Sequence, residues 1–142
     1  MQRILAIKLS SLGDLFHALP AVHAVRTGLD AEVDWLTQPE YARLVDTCFD
    51  DVSDTLVFPR RAPWRTLPAF FRSLRRRRYD LVLDLQGLLK SALPARAARA
   101  DRRIGPSFHR EGAALFYTSV AGPRNRQRHA VEEVLDVAGY LG

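Results

Sequence analysis

The chain has 142 residues, 47% of them hydrophobic, so it is long enough for one domain with a full core. No stretch approaches the roughly 20 apolar residues of a membrane helix, and Lys8 and Asp14 interrupt the N-terminal apolar run before a signal-peptide core can form. The single cysteine, Cys48, excludes an internal disulfide and fits a reducing compartment. The cytoplasm is therefore the expected location.

Charge is divided unevenly along the chain, whose net charge is +5. Residues 1–58 carry four basic and nine acidic side chains, whereas residues 59–142 carry seventeen basic and seven acidic ones. All but two of the basic residues are arginines, and guanidinium groups bind phosphate or carboxylate through paired hydrogen bonds. The second half is thus consistent with an anionic ligand, and equally with a well-solvated surface.

Strands and helices are predicted to alternate from the first residues onward. The apolar run 3–9 predicts a strand, and apolar residues at helical spacing predict a helix over 14–28, with a kink or a late start at Pro20. Further strands are predicted at 32–37, 54–58, 79–85 and near 102–105. Further helices are predicted at 40–46, from Leu67 to the arginines 75–78, over 88–99 and from about His129, with a mixed segment at 107–120.

This alternation predicts an α/β fold with a Rossmann-like, doubly wound and mostly parallel sheet. Right-handed crossovers place the loops that follow the strands along one edge of such a sheet, where ligands bind. The polar residues of those loops are therefore the first candidates for a site.

The first βα turn, Ser10-Ser-Leu-Gly-Asp14, lacks both the glycine fingerprint of dinucleotide folds and the Gly-Lys-Ser/Thr of a P-loop. Gly13 permits a tight turn, and Ser10 offers a hydroxyl at the end of the strand. Asp14 is predicted at the helix N-cap or in the first turn, where the helix dipole favours an ionised carboxylate. It is either a cap, which the pattern alone favours, or a catalytic group. His17 nearby is interpreted as a half-buried polar residue.

The segment Asp84-Leu-Gln-Gly-Leu-Leu-Lys-Ser91 repeats this design after the strongest predicted strand. Asp84 and Gln86 lie at the strand end, and Lys90 opens a helix. Two such turns on one edge would form a cleft. In the competing interpretation, which the pattern supports equally, Asp84 caps the helix and Lys90 is solvated.

Arginines also follow the third predicted strand, where Arg60, Arg61 and Arg65 flank Trp64. A loop of this kind suits recognition of phosphate or sugar acids. Arginines 75–78 instead follow the apolar face of a helix and are predicted to lie on the surface. One cysteine and four dispersed histidines make no metal-ligand cluster, and no Gly-x-Ser-x-Gly elbow indicates a hydrolase.

Taken together and in order, these stretches resemble the N-terminal half of glycosyltransferase family 9, the bacterial lipopolysaccharide heptosyltransferases. The similarity runs through RILAIKLSSLGDLFHALPAVHAV, EVDWL, RRAPW, YDLVLDLQGLLKSAL, RRIGP, REGAALFY and RHAVE, and so covers nearly the whole chain. RRAPW and REGAALFY look more like the type I enzymes, which add the first heptose to the Kdo sugar of Kdo-lipid A.

The resemblance implies an inverting GT-B glycosyltransferase, built of two Rossmann-like domains, in which Asp14 falls on the catalytic base. It implies that the acceptor is bound by a set of polar side chains in the cleft: Arg60, Arg61, Arg110, Ser10, Gln86, Lys90 and His129. Residues 1–142 would be a single acceptor-binding domain, and the C-terminal nucleotide-sugar domain would be absent. The chain alone is therefore expected to be inactive.

The expected partners also follow from the resemblance. They are a Kdo-lipid A type acceptor, ADP-heptose held mainly by a C-terminal domain, and the inner face of the cytoplasmic membrane, with no cofactor or metal. A nucleic-acid partner is not expected for a separate reason, because the aromatic residues mostly fall on strand and core-facing helix positions and offer no stacking platform. The alternative is a stand-alone α/β module that binds an anion or nucleotide. It would need its own nucleotide site, and the missing glycine fingerprint counts against it.

Overall fold

A computed structural model describes residues 1–59, 64–106 and 113–121, in which strands and helices alternate. The strands are β1 (Gln2–Ile7), β2 (Ala31–Thr37), β3 (Asp54–Val57), β4 (Arg78–Asp84), β5 (Arg99–Pro106) and β6 (Ser119–Ala121). The α-helices are α1 (Leu12–Leu29), α2 (Pro39–Cys48), α3 (Leu67–Arg75) and α4 (Leu89–Ala97), and single 3-10 turns cover Trp64–Thr66 and Ala113–Phe116. The helix predicted from His129 lies outside the described residues.

The strands form one sheet in the order β3-β2-β1-β4-β5-β6, and every neighbouring pair is parallel. At the end of β1, Ile7 is in register with Leu36 of β2 on one side and with Asp84 of β4 on the other. The chain moves outward from β1 to β3 and then crosses back to β4, so the winding reverses between β1 and β4. The predicted doubly wound sheet is confirmed, and this switch point is where such folds bind ligands.

The central strands are buried on both faces, which explains their continuous apolar sequences. Successive side chains of a strand point to opposite faces, so Ile4 and Ala6 pack in one layer and Leu5 and Ile7 in the other. The first layer contains the buried residues of α1 and α2, and the second contains those of α3 and α4. Helices therefore cover both faces of the sheet. The ends of the strands form the two other sides, which are called the carboxyl edge and the amino edge below.

One sequence-based expectation needs correction. Helix α1 begins at Leu12 and continues through Pro20, so the late start is wrong. Pro20 lies on the exposed side of the helix, where water can bind the carbonyl that lacks its N–H partner. Arginines 75–78 lie at the surface as predicted, and Arg77 among them forms ion pairs of 3.1 Å with Asp34 and 2.6 Å with Asp54. Among the described helices, none combines the length and hydropathy that a membrane crossing requires.

Candidate active site

The first βα turn presents Asp14 at the carboxyl edge of the sheet, in the first turn of α1. Ser11 is the N-cap, and Asp14 lies three residues after it. One carboxylate oxygen, Oδ2, accepts hydrogen bonds from the Ser11 N–H at 3.1 Å and from the Ser11 hydroxyl at 2.9 Å. Asp14 therefore does cap the helix, through the carboxylate half of a capping box.

Capping occupies only one side of this carboxylate. Within the part of the chain that the structure describes, the second oxygen of Asp14, Oδ1, accepts no hydrogen bond, and the side chain is partly exposed. A cap and a ligand-binding or proton-accepting group are consequently compatible at this position.

The electrostatic surroundings keep Asp14 ionised at neutral pH. Partial burial alone would raise the pKa of its carboxyl, but the two hydrogen bonds from Ser11 and the electrostatic interactions with Lys8 and His17 outweigh that effect. The resulting pKa lies below the ordinary value for aspartate. An ionised carboxylate is the form that accepts a proton.

Lys8 is a buried cation beneath this turn, with only 6% of its surface exposed. Its ammonium donates a hydrogen bond of 2.9 Å to the Leu85 carbonyl oxygen, which follows β4 and lies 77 positions further along the chain. Burial lowers the pKa of Lys8, and the negative charges of Asp14 and Asp84 oppose this shift. In the sequence, Lys8 is only a break in an apolar run. A lysine directly after a strand that is buried on both faces is the signal that could have identified it.

Gln86 joins the two polar turns. Its side-chain oxygen accepts hydrogen bonds from the backbone N–H groups of Leu9 at 3.2 Å and Ser10 at 3.4 Å. The Leu85 N–H adds a hydrogen bond of 2.9 Å to the Ile7 carbonyl. The side-chain oxygen of Gln86 is thus occupied in shaping the first turn, and any contact with an acceptor would involve its amide nitrogen.

Asp84 is fully buried and organises the second turn. Its Oδ1 accepts hydrogen bonds from the N–H groups of Gln86 at 2.9 Å and Gly87 at 3.1 Å, and Oδ2 accepts from the hydroxyl groups of Ser91, at 2.9 Å, and Tyr117. Gly87 has a φ of 74°, a conformation that favours glycine. Burial raises the pKa of Asp84, although these four hydrogen bonds oppose the shift. The structure therefore favours the structural interpretation of Asp84 and adds Tyr117, which sequence analysis did not single out.

Ser10 and Lys90 both lie at this edge and are partly exposed. Lys90 is the second residue of α4, a position where the helix dipole disfavours a cation. No hydrogen bond or ion pair joins its ammonium to any residue in the described ranges, so the charge is available to an anion. His17 is exposed, and the expectation that it is half-buried is wrong.

The arginine loop is described only in part. Arg65 lies in the 3-10 turn Trp64–Thr66 and is exposed, as is Trp64. Four of the predicted acceptor-binding residues lie outside the described residues: Arg60, Arg61, Arg110 and His129. The structure thus brings Asp14, Ser10, Gln86 and Lys90 to one edge, and the proposed roles of all eight residues remain predictions.

The known proteins to which this chain is similar belong to one family. The model of "Glycosyltransferase family 9 (heptosyltransferase)" matches residues 67–140. Lipopolysaccharide heptosyltransferase 1 of Pseudomonas aeruginosa is 36% identical over 90% of this chain and 42% of its own length. Lipopolysaccharide heptosyltransferase 1 of Salmonella typhimurium is 30% identical over 95% of this chain and 46% of its own length.

A solved structure gives the same result in three dimensions. The structure of E. coli heptosyltransferase WaaC with ADP matches 99% of this chain with a TM-score of 0.82 and 33% sequence identity, and 47% of that protein is covered. The chain spans less than half the length of the relatives that it matches. The fold expected for the N-terminal half of a GT-B enzyme is confirmed. Because the family model matches more than half of the chain, the protein belongs to glycosyltransferase family 9, the heptosyltransferase family.

Proposed function

We propose that this domain is the acceptor-binding part of an ADP-heptose:lipopolysaccharide heptosyltransferase and that Asp14 is its general base. The observation that carries the proposal is the position of Asp14. It lies beside the switch point between β1 and β4 and is held by Ser11 through one oxygen, while the other oxygen accepts no hydrogen bond from the described residues. The low pKa of its carboxyl keeps it in the proton-accepting form.

In the proposed reaction, an acceptor hydroxyl attacks the anomeric carbon of ADP-heptose. The new carbon–oxygen bond forms as the bond from that carbon to the phosphate oxygen of ADP breaks, and the configuration inverts. The hydroxyl proton passes to the open oxygen of Asp14, and ADP leaves with the electron pair. A base in this position must lie within hydrogen-bond distance of the attacking hydroxyl.

The acceptor that we propose is the Kdo sugar of Kdo-lipid A, which carries carboxylates and phosphates. Lys90 supports this choice because its charge lies at the same edge as Asp14 without a partner among the described side chains. Arg60, Arg61, Arg110 and His129 complete the proposed acceptor site, with Ser10 and the amide nitrogen of Gln86. The donor would be held by the portion of the enzyme that lies outside this chain, and no cofactor is required.

The same proposal places the enzyme in the cytoplasm, at the inner face of the membrane that holds its acceptor. It also implies that the 142-residue chain alone transfers no heptose and binds ADP-heptose negligibly. Calorimetry with the isolated chain tests this directly, and tight binding of ADP-heptose would contradict it. Binding of Kdo-lipid A analogues should be measurable and should weaken with salt, because exposed cations are screened by ions.

The decisive experiment is Asp14→Asn in a full-length enzyme that carries this domain. Asparagine offers the same acceptor oxygen to Ser11 but cannot take up a proton at neutral pH. Loss of a general base costs about 10² to 10⁴ in rate, so kcat should fall at least about a hundredfold. The melting temperature should remain that of the wild type. If Asp14→Asn retains both stability and turnover, Asp14 is only a cap.

A further inference from the structure

A second cluster of charged residues lies at the amino ends of the strands, opposite to the carboxyl ends that hold the candidate active site. Arg78 begins β4 and is in register with Arg99, which begins β5. Asp84 ends β4 at the carboxyl edge, six residues and roughly 20 Å from Arg78 at the usual rise of a strand. The two edges are therefore separate places on the molecule.

A surface pocket of about 300 Å³ lies at this amino edge. Its charged lining, within the described part of the chain, comprises five arginines and one aspartate: Arg75, Arg78, Arg96, Arg99, Arg103 and Asp101. They come from the ends of α3 and α4 and from the strands that follow these helices. Guanidinium groups thus converge on one pocket from four elements.

Two of these arginines are held by carbonyl oxygens at the end of α4. Arg103 donates to the carbonyl oxygens of Ala95 at 2.8 Å and Ala98 at 2.6 Å, at the end of α4. Arg75 donates to the Ala97 carbonyl at 3.0 Å. Cations at a helix C-terminus complement its dipole, so these contacts follow from the fold alone.

The charges of the other three pocket arginines are only partly balanced by a carboxylate. Asp101 pairs with Arg78 at 3.2 Å, while Arg96 and Arg99 are exposed and contact no carboxylate among the residues described. Burial lowers the pKa of Arg103, and the positive charges of Arg96 and Arg75 lower it further. Like charges that share one pocket repel one another. Such crowding is relieved when an anion binds between the guanidinium groups.

We propose that this pocket binds a phosphate-type oxyanion, which is either soluble or part of an anionic lipid headgroup. Several guanidinium forks from different directions suit a group with three or four acceptor oxygens better than a planar carboxylate with two. Among the described residues, none that lines the pocket is aromatic, so stacked bases are not supported. Because the pocket is at the edge opposite Asp14, this site is independent of the proposed active site.

The first test is a titration of the 142-residue chain with pyrophosphate, followed by NMR of the backbone amides. We expect saturable shifts within residues 96–103 that weaken with added salt. Replacing the two arginines that contact no described carboxylate, in Arg96→Gln/Arg99→Gln, should raise the Kd at least about tenfold, since each removed fork takes away charge-assisted hydrogen bonds. Arg43→Gln/Arg72→Gln is the matched control, because both of these arginines are exposed, lie outside the pocket and change the net charge equally.

A variant that should bind pyrophosphate more tightly, and not more weakly, provides a second test. Asp101→Asn removes the carboxylate of the pocket and releases Arg78, so it should tighten pyrophosphate binding several-fold.

Flotation with vesicles then identifies the source of the phosphate. Binding to phosphatidylglycerol but not phosphatidylcholine vesicles, lost in Arg96→Gln/Arg99→Gln and kept in the control pair, assigns a lipid headgroup. Pyrophosphate binding without vesicle binding assigns a soluble ligand. The proposal is overturned if neither probe binds, or if the control pair loses as much binding as the pocket pair.

Discussion

The ammonium of Lys8 hydrogen-bonds the Leu85 carbonyl oxygen and thereby fastens the end of β1 to the end of β4 beneath Asp14. The bond holds a positive charge in a buried position at the switch point of the sheet. Of the charged groups that face Asp14, Lys8 and His17 are the two that lower the pKa of its carboxyl. The cation therefore links the construction of the two turns to the ionisation of the proposed base.

Lys8→Met should raise the pKa of Asp14 toward the ordinary value. In the wild type the pKa of the folded state is depressed, so the stability that Asp14 contributes is present above its unfolded pKa and is lost as pH falls through the folded pKa. Without the charge of Lys8, this contribution should be smaller, and its loss should be complete at a higher pH. Carbon-detected NMR of the Asp14 carboxyl measures the titration directly. Lys90→Met is the control and should leave it unchanged, and equal titration of Asp14 in wild type and Lys8→Met would refute the coupling.

Asp14→Ala should lower the free energy of unfolding by roughly 1 kcal/mol, the usual cost of removing a helix cap. Asp14→Asn should lower it little, because the amide oxygen can accept the same hydrogen bonds from Ser11. Urea denaturation of the isolated chain at neutral pH measures both. If Asn destabilises as much as Ala, the charge of Asp14 rather than its acceptor oxygen stabilises the helix.

Asp84→Ala should destabilise the chain by more than about 3 kcal/mol, because buried donors from Gln86, Gly87 and Ser91 lose their acceptor. Denaturant unfolding measures this loss. A cost below about 1 kcal/mol would mean that water replaces the carboxylate and that Asp84 does not organise the turn.

The contribution of Asp84 to stability should change with pH in the opposite direction to that of Asp14. Its folded pKa is raised by burial, so its contribution to stability is full below the unfolded pKa, about 4, and is lost as pH rises through the folded pKa. The free energy of unfolding of wild type minus that of Asp84→Asn should therefore decrease as the pH is raised above about 4. A difference that stays constant with pH would show that burial does not raise the pKa of Asp84.

Gly105→Ala should displace Tyr117 and weaken its hydrogen bond to Asp84. A Cβ atom on Gly105 would lie 1.9 Å from a ring carbon of Tyr117, which is far inside van der Waals contact. We expect a loss of about 1–3 kcal/mol in unfolding free energy, as for other overpacked sites. Gly28→Ala in α1 is the matched control: nothing lies within 4 Å of its Cβ, and it should stabilise the helix by up to about 1 kcal/mol. Equal effects at the two glycines would contradict the packing.

Local sequence patterns determined most of the fold. Continuous apolar residues predict β1 and β4 because both faces of these strands are covered by helices, and the helical spacing of apolar residues predicts α1 and α3. The two polar turns were also predictable, since Ser11 with Asp14 and Gly87 use capping and left-handed backbone, which depend on neighbouring residues. The short strand β6 was not separated from its mixed segment, because three residues carry too little periodicity.

The site itself depended on contacts between distant residues. Lys8 binds Leu85 and Gln86 binds Leu9, in each case 77 positions apart, and Tyr117 reaches Asp84 over 33 positions. The arginine pocket likewise combines the ends of two helices with the starts of two strands. Propensity and spacing act over one turn or one strand, whereas the strand order brings β1, β4 and β5 side by side. The sequence alone therefore determined which turns are polar, and only the packed sheet decided which of their groups are buried, paired or open.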